Sequence, residues 1–202
     1  MELPTCFDSP LIRDAAELWR AATQAPFLEA AAAGTLPEPA FRRWLAQDYL
    51  FASGLTAYQA IMLAKAPRAA HRVLISGLAA LDDELEWFES HAQRLGVELS
   101  VRPHPTCRAY LDFLMRSAYS APWPVLTAIL FGVEVSYLAA WSAFTATGPY
   151  AEFIARWSSP TFRRYVDELA SLALRHPHEA AQESFNQVLL YERDFWHMVW
   201  EG

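Results

Sequence analysis

The segment LTAILFGVEVSYLAAW, residues 126–141, is typical of a helix that lies inside a protein, and a single acid interrupts it. Glu134 is the only charged residue between Arg116 and Glu152. A carboxylate in such surroundings is costly to desolvate unless it is paired, hydrogen-bonded or protonated. The pattern therefore predicts a buried functional acid. The alternative is a glutamate that only bonds a Tyr or Trp of a neighbouring helix.

Two further acids lie among aromatic residues. Asp48 lies in FRRWLAQDYLF, residues 41–51, and Glu192 lies in FNQVLLYERDFW, residues 185–196. Three such acids on separate predicted helices indicate a pocket lined by carboxylates and walled by aromatic rings. A pocket of this kind suits the binding of a flat polar molecule and the transfer of protons.

Each of these acids also has a simpler interpretation. Asp48 could be a partly exposed acid paired with Arg42 or Arg43. Glu192 is followed by a charged pair that indicates a solvated face of the same helix. The residues that could wall the pocket could equally be ordinary core, which is the commoner fate of aromatic residues at helical spacing; they are Phe51, Tyr110, Tyr137, Trp141 and Trp157.

Composition narrows the class of protein. The chain has 202 residues, of which 53% are hydrophobic and 14% aromatic, enough for a substantial core within one domain, residues 1–202. The net charge is -7 and no basic patch is present, so we expect no nucleic-acid partner. Two cysteines without metal-binding spacing, and an N-terminus unlike a signal peptide, predict a cytoplasmic protein. The uncharged stretch around Glu134 contains prolines and hydroxyls, which favours a buried helix over a membrane span.

The helical period predicts an all-α fold. Glycines are few, alanines are many, and no alternating strand pattern occurs. We expect the loop VELSVRPHPT at 97–106, a bend at 158–160 and breaks at 148–149 and 176–177. The predicted helices run over 10–24, 27–34, 37–65, 71–95, 107–119, 124–147, 150–175 and 178–200.

A metal site is a competing interpretation. Glu84 and His91 are two helical turns apart, Asp194 and His197 are one turn apart, and with Glu134 they could form a dinuclear iron site in a helical bundle. Such a bundle usually needs more ligands than these five. Glu84 also belongs to an acidic run that is typical of a solvated face. We therefore predict neither a metal nor another cofactor.

Three segments together resemble the TenA/Thi-4 family. PFLEAAAAGTLPEPAFRRWLAQDYLF, residues 26–51, resembles its N-terminal signature, and FNQVLLYERDFWHMVW, residues 185–200, resembles its C-terminal signature. CRAYLDFLM, residues 107–115, is similar to the segment that supplies a pocket tyrosine. The resemblance implies a heme-oxygenase-like helical bundle without haem and a role in thiamin salvage. It also implies release of the exocyclic amine from an aminomethyl-pyrimidine breakdown product of thiamin; some members cleave thiamin itself.

The resemblance also implies roles for single residues. Asp48 would anchor the aminopyrimidine, Tyr110 and Tyr137 would line the ring, and Glu192 would carry protons to the leaving amine. The best-known members have a nucleophilic cysteine where this chain has Val133, followed by Glu134. The chain thus resembles the branch called TenA_E, which lacks that cysteine and uses a glutamate. At two positions where members of the family commonly have tyrosines, the chain has Phe51 and Trp157, which keep the aromatic ring but lack the hydroxyl.

These observations predict a hydrolase that acts on an aminomethyl- or formylaminomethyl-pyrimidine. Glu134, Glu192 and Asp48 are the predicted catalytic residues; Phe51, Tyr110, Tyr137 and Trp157, with Asp48, are the predicted substrate-binding residues. Glu134 would act as a base that activates water or as a carboxylate nucleophile. A dinuclear iron oxygenase and a non-catalytic pyrimidine-binding or regulatory protein remain alternatives. The predicted partner is a small-molecule pyrimidine, no membrane partner is expected, and the predicted assembly is a homodimer or homotetramer.

Overall fold

The chain folds into α-helices, as the composition predicts. A computed structural model describes residues 6–175 and 178–202, and it has no strand within those ranges. Short 3-10 turns occupy Cys6–Asp8 and Arg68–Ala70. The α-helices are α1 Pro10–Arg13, α2 Ala16–Thr23, α3 Pro26–Ala33, α4 Glu38–Lys65, α5 His71–Leu95, α6 Pro105–Ser120, α7 Trp123–Ser142, α8 Ala151–Trp157, α9 Pro160–Ala173 and α10 Glu179–Glu201.

Helix α7 is the central element of the core. Every residue from Val125 to Ser136 is buried, because α2, α9 and α10 pack around it. A Cβ on Gly132 would lie 3.1 Å from a methyl of Val188, so the glycine allows α10 to approach closely. Within the described residues, α7 is the one helix long and apolar enough to cross a membrane, and 83% of its most apolar window is buried in the fold.

Long helix α4 is tied to two neighbours by basic side chains. Arg43 donates to the backbone carbonyls of Met198, Val199 and Trp200, the last turn of α10. At its other end, Lys65 donates to carbonyls at the end of α6 and just beyond it. Carbonyls in a last helical turn have no intrahelical donor, and a cation also suits the negative end of the helix dipole. These contacts hold α6 and α10 against α4.

Several predicted boundaries are confirmed. The glycines after α3 and α5 adopt the left-handed conformation (φ 69° at Gly34 and 62° at Gly96) that ends helices. At the predicted bend, Ser159 caps α9 by accepting a hydrogen bond from the backbone N–H of Phe162. The predicted break at 176–177 lies outside the described residues.

Other boundaries were predicted wrongly. The segment predicted as one helix over 10–24 is two helices, interrupted at Asp14 and Ala15. The prediction for α7 ran to Thr147, but the helix ends at Ser142, since the β-branched and glycine residues of TATGP, 145–149, continue it poorly. Helix α6 begins at Pro105 rather than at Cys107, because a proline fits the first turn of a helix.

Candidate active site

Six long helices and α8 enclose one cavity near the middle of α7. Its volume open to the centres of water-sized molecules is about 70 Å³. One water needs about 10–15 Å³ on this measure, so the cavity can hold several waters or a small ring. The lining residues are Asp48, Phe51, Ala52, Leu55, Gly77, Ala80, Leu81, Glu84, Tyr110, Val133, Glu134, Tyr137, Trp157, Phe162, Tyr165, Glu192 and Phe195.

Helical spacing explains how the predicted residues reach the cavity. Asp48, Phe51 and Leu55 are three and four residues apart on α4, so they share its inward face. The same rule places Glu134 with Tyr137 on α7, and Glu192 with Phe195 on α10. The structure thus brings all seven predicted catalytic and binding residues to one cavity, while their roles stay predictions. Trp141 does not line it; its ring packs behind Trp157, with centroids 5.4 Å apart.

Asp48 is bonded to a tyrosine. The Tyr137 hydroxyl donates to Asp48 Oδ2 at 2.6 Å, and the Tyr137 ring stacks on Trp196 at 5.8 Å. Burial raises the pKa of Asp48 well above its usual range; the hydrogen bond from Tyr137 opposes this rise, and the charges of Glu84 and Glu192 add to it. A carboxyl held in this way can bond the amino and ring nitrogens of a flat heterocycle.

The residues on either side of Asp48 also hold it in place. Gln47 donates to the carbonyl of Arg102 and accepts from the backbone N–H of His104, so it fixes the loop before α6 against α4. Tyr49 donates to Glu89 on the outside of α5 at 2.8 Å. The three residues of Gln47-Asp48-Tyr49 therefore contact the loop, the cavity and α5 respectively.

The alternative interpretation of Asp48 is wrong. Arg42 pairs with Glu38 at 2.8 Å, and Arg43 bonds the end of α10. Neither arginine forms an ion pair with Asp48, which is buried.

Glu192 forms a second carboxyl–tyrosine pair. Tyr110 donates to Glu192 Oε1 at 2.7 Å, and the Tyr110 ring lies between Phe51, at 4.6 Å, and Tyr191, at 4.9 Å. Burial raises the pKa of Glu192 from 4.5 to about 8, although the hydrogen bond from Tyr110 lowers it in part. Glu192 therefore holds its proton more firmly near neutral pH than an exposed glutamate does.

Glu134 differs from these two acids in having no such bond. It is buried, and no described residue donates a hydrogen bond to its carboxyl group. Burial, with repulsion from Glu84 and Glu192, raises the pKa of Glu134 from 4.5 to about 8. The simpler interpretation, a glutamate that only bonds a Tyr or Trp of a neighbouring helix, does not hold among the described residues. Its carboxyl is free to bond a molecule in the cavity.

A fourth acid, Glu84, also lines the cavity. Trp157 donates its indole N–H to Glu84 Oε2 at 3.1 Å. The tryptophan thus supplies a hydrogen-bond donor at the position where the resemblance would place a tyrosine hydroxyl. Burial raises the pKa of Glu84, and Arg156 and the bond from Trp157 oppose the rise. In the sequence, Glu84 lies in an acidic run that is typical of a solvated face, and it was a candidate metal ligand. Its spacing from Leu81 and Phe88, which are buried on α5, was the signal that could have placed it inward.

Two aromatic residues of α9 were also missed. Tyr165 donates to Gln59 at 3.2 Å, and Phe162 lies one turn before it; both line the cavity. A Cβ on Gly77 would clash with the Tyr165 hydroxyl, so the glycine makes room for this contact. Such a dependence on a residue of another helix leaves no pattern in the sequence.

Of the five candidate iron ligands, Glu84 and Glu134 line the cavity, but the other three lie elsewhere. His91 contacts the backbone carbonyl of Trp87 and the carboxylate of Glu152, and Asp194 pairs with Arg193. The side chain of His197 is 59% exposed. No group of three or more potential metal ligands occurs among residues 6–175 and 178–202. The competing interpretation of a dinuclear site from these five residues is therefore wrong, because helical spacing aligns residues on single helices but cannot bring the helices to one point.

None of the residues that line this cavity carries a thiol. Val133 lines it at the position where the resemblance would place a cysteine. Cys107 lies on α6 outside the lining, and burial raises the pKa of its thiol to about 12. The carboxyl groups are thus the residues available for proton transfer or nucleophilic attack.

Comparison with known proteins agrees with this geometry. A model of the TENA/THI-4/PQQC family matches residues 12–202. A Glycine max protein named "Probable bifunctional TENA-E protein" is 29% identical over 201 residues, 90% of this chain and 87% of the relative. A Bacillus subtilis protein named "Aminopyrimidine aminohydrolase" is 24% identical over 203 residues, 92% of this chain and 86% of the relative.

Solved structures show the same architecture. A TenA homologue from Pyrococcus furiosus superposes with a TM-score of 0.88 at 30% identity, covering 94% of this chain and 97% of the other. A Shewanella denitrificans domain of unknown function with a heme oxygenase-like fold has a TM-score of 0.73 at 14% identity, covering 95% and 90%. The predicted heme-oxygenase-like helical bundle is confirmed.

Proposed function

The chain belongs to the TENA/THI-4/PQQC family, and from this premise we propose that it is a hydrolase of thiamin-pyrimidine salvage. Its substrate is an aminomethyl-pyrimidine or its N-formyl derivative. The names of two relatives, one an aminopyrimidine aminohydrolase and one a TENA-E protein, support this class of reaction. Catalysis is by buried carboxyl groups of the TenA_E kind, without a thiol.

Water is the second substrate in either reaction. With the N-formyl compound, water adds to the formyl carbon and the amide C–N bond breaks, which yields formate and the aminomethyl-pyrimidine. With the free amine, water replaces the amino group on the methylene carbon, which yields the hydroxymethyl-pyrimidine and ammonia. Both reactions need a base for the water proton and an acid for the leaving nitrogen.

The observation that carries the proposal is the difference between the surroundings of Glu134 and Glu192. Glu134 has no protein donor among the described residues, so its carboxylate is available to take a proton from water. Glu192 is held by Tyr110 at 2.7 Å, in a fixed position from which it can protonate the leaving nitrogen. Two carboxyls that share a buried cavity and repel each other lose their protons in separate steps, which leaves one acid and one base.

Asp48 is the substrate anchor in this scheme. The hydroxyl of Tyr137 donates to one oxygen of Asp48, and the other oxygen is available to accept from the exocyclic amino group of a pyrimidine. The rings of Phe51, Tyr110 and Trp157 line the same cavity and supply flat apolar surfaces for stacking.

A turnover assay tests the proposal. The purified protein is offered thiamin, the aminomethyl-pyrimidine and the N-formyl derivative, with and without a chelator, and the products are separated by chromatography. We expect turnover of at least one pyrimidine, unaffected by the chelator and lost in Glu192→Gln. The variant Glu183→Gln, an exposed acid on the same helix, is the matched control. Failure to turn over all three compounds would overturn the proposal.

Location and assembly belong to the same proposal. A cytoplasmic homodimer or homotetramer remains our prediction. Exposed Tyr119 and Ile75, at 72% and 55%, supply apolar surface on which copies could meet. Sedimentation velocity of the purified protein decides the assembly, and a monomeric mass at micromolar concentration would contradict it.

A further inference from the structure

A second cavity adjoins the active-site cavity and opens to solvent; we call it the outer chamber. Its volume open to the centres of water-sized molecules is about 480 Å³, against about 70 Å³ inside. Glu84, Trp157, Phe162 and Tyr165 line both cavities. A pyrimidine in the inner cavity therefore has room to extend a substituent past these residues.

Arg156 is the notable side chain of the outer chamber. The central carbon of its guanidinium lies 4.7 Å from the centroid of the Trp87 ring, close enough for a cation–π contact. Its Nε is buried and has no hydrogen-bond partner among the described residues. The nearest acid, Glu84, is 3.9 Å from that nitrogen, beyond hydrogen-bond distance.

Among residues 6–175 and 178–202, no other acid forms an ion pair with Arg156. Glu152, four residues earlier on α8, is bonded by His91 at 3.0 Å and by Arg94 at 2.6 Å. Glu84 is instead bonded by the indole N–H of Trp157 at 3.1 Å. A charged group with no bonded partner is costly to bury. Arg156 lines the outer chamber and 27% of its side chain is exposed, so a ligand in the chamber can reach it and act as its acceptor.

The remaining charges of the chamber limit the ligand. Arg72 and Arg164 line the chamber and add positive charge, whereas Asp83 and Glu168 line it and are exposed. These two acids would repel a polyanion, but a single carboxylate next to Arg156 would meet a guanidinium whose flat fork matches it.

We propose that the outer chamber binds a carboxylate carried on the acyl substituent of the substrate nitrogen, with Arg156 as its partner. The inference rests on the proposed function and names a substrate class for it: N-acyl aminomethyl-pyrimidines whose acyl chain ends in a carboxylate. The reaction is the same amide hydrolysis. Water adds to the acyl carbon, the C–N bond breaks, and the dicarboxylic acid and the aminomethyl-pyrimidine are released.

A matched pair of compounds tests it. N-succinyl and N-butanoyl aminomethyl-pyrimidine have acyl chains of equal carbon number, and only the first carries a carboxylate. We measure kcat/KM and the dissociation constant of each for wild type and Arg156→Gln. The wild type should favour the succinyl compound, and Arg156→Gln should lower that preference about 10- to 100-fold. Arg116→Gln is the control, since Arg116 also lies over a ring, 5.9 Å from Phe113, but outside both cavities.

Each outcome decides something. Turnover of the formyl compound with equal preference in wild type and Arg156→Gln would overturn the inference and leave the proposed function standing. Absence of all turnover, with tighter binding of the succinyl compound that depends on Arg156, would overturn the proposed function and support the anion site. Loss of the preference in the Arg116 variant as well would also count against Arg156, because the effect would then follow net charge alone.

Discussion

At the scale of single residues, the buried acids of this cavity differ in what they bond. Asp48 and Glu192 each accept from a tyrosine, at 2.6 and 2.7 Å, and those bonds oppose the effect of burial on their pKa values. Glu134 has no such donor among the described residues. Its charged form therefore receives no hydrogen bond from the described residues, which suits a group that must bond water or substrate.

Glu134 should make stability fall as pH rises. The pKa of Glu134 is about 8 in the fold and 4.5 as an ordinary glutamate. Below 4.5 both states are protonated; between 4.5 and 8 only the unfolded chain loses the proton, so the free energy of unfolding decreases over this window. One pKa unit corresponds to about 1.4 kcal/mol, so the effect is on the order of a few kcal/mol.

Glu134→Gln removes this dependence. Denaturant unfolding at several pH values should show that the stability of the variant, relative to wild type, increases from pH 4.5 to pH 8. Any constant offset from the new amide does not affect this slope. Glu183→Gln, an exposed control, should parallel wild type at every pH. Parallel curves for Glu134→Gln and wild type would contradict the raised pKa.

Sequence reasoning found the acids that stand alone among apolar residues and missed the one that does not. Glu134 has no charged neighbour in the sequence, and Asp48 and Glu192 lie between aromatic residues. Glu84 has Asp82, Asp83 and Glu86 beside it, so composition indicated a solvated face and hid its inward position. Its partner Trp157 is 73 residues away, a contact that no local pattern encodes.

At the scale of helices, α4 and α10 must keep their register for Asp48 and Glu192 to share a cavity. Arg43 provides that link by donating to three carbonyls in the last turn of α10. Its neighbour Arg42 has a side chain that is 42% exposed; it pairs with Glu38 one turn earlier and donates to a single backbone carbonyl, that of Gly96. Adjacent arginines thus offer a test of which contact positions the helix.

Arg43→Ala should destabilise the protein more than Arg42→Ala. Removing the partly buried charged donor leaves helix carbonyls unpaired, and we expect a loss of about 1–3 kcal/mol. The exposed pair of Arg42 should contribute about 0–1 kcal/mol. Denaturant midpoints of the two variants make the comparison, with an unchanged m value as the check on two-state unfolding. Equal losses would show that Arg43 does not hold α10.

The ends of helices were predictable where a cap or a glycine marks them, and less so elsewhere. Gly34, Gly96 and Ser159 have a conformation or a bond that only some residues allow, so they fixed their boundaries. The break at Asp14 and Ala15 carries no proline or glycine. Packing against neighbouring elements decides such a break, and a local pattern cannot report it.

At the scale of the whole molecule, the fold encloses a small cavity that is lined mostly by buried side chains. Side chains from seven helices meet there, and four of them are carboxyls. A low-dielectric site of this kind raises carboxyl pKa values towards neutrality, where they are useful as acid and base. The sequence predicted the fold and the cavity's chemical character, but helix spacing alone could not show that His91 contacts Glu152 rather than a metal.

The central claim is that Glu134 and Glu192 act as base and acid. The pH dependence of kcat/KM for the N-formyl aminomethyl-pyrimidine tests it most directly, from about pH 5 to about pH 10. At low pH both acids are protonated and no base exists. The value of kcat/KM should rise as the first proton of the pair leaves and fall as the second leaves. The rising and falling parts of the profile should lie on either side of about pH 8.

The measurement compares wild type, Glu134→Gln, Glu192→Gln and the control Glu183→Gln. We predict a bell-shaped profile in wild type and in the control. In each of the two cavity variants, kcat/KM should fall about 10²- to 10⁴-fold, the usual contribution of a general acid or base, and the bell should be lost. A Glu134→Gln protein with full turnover and an unchanged bell-shaped profile would contradict the account.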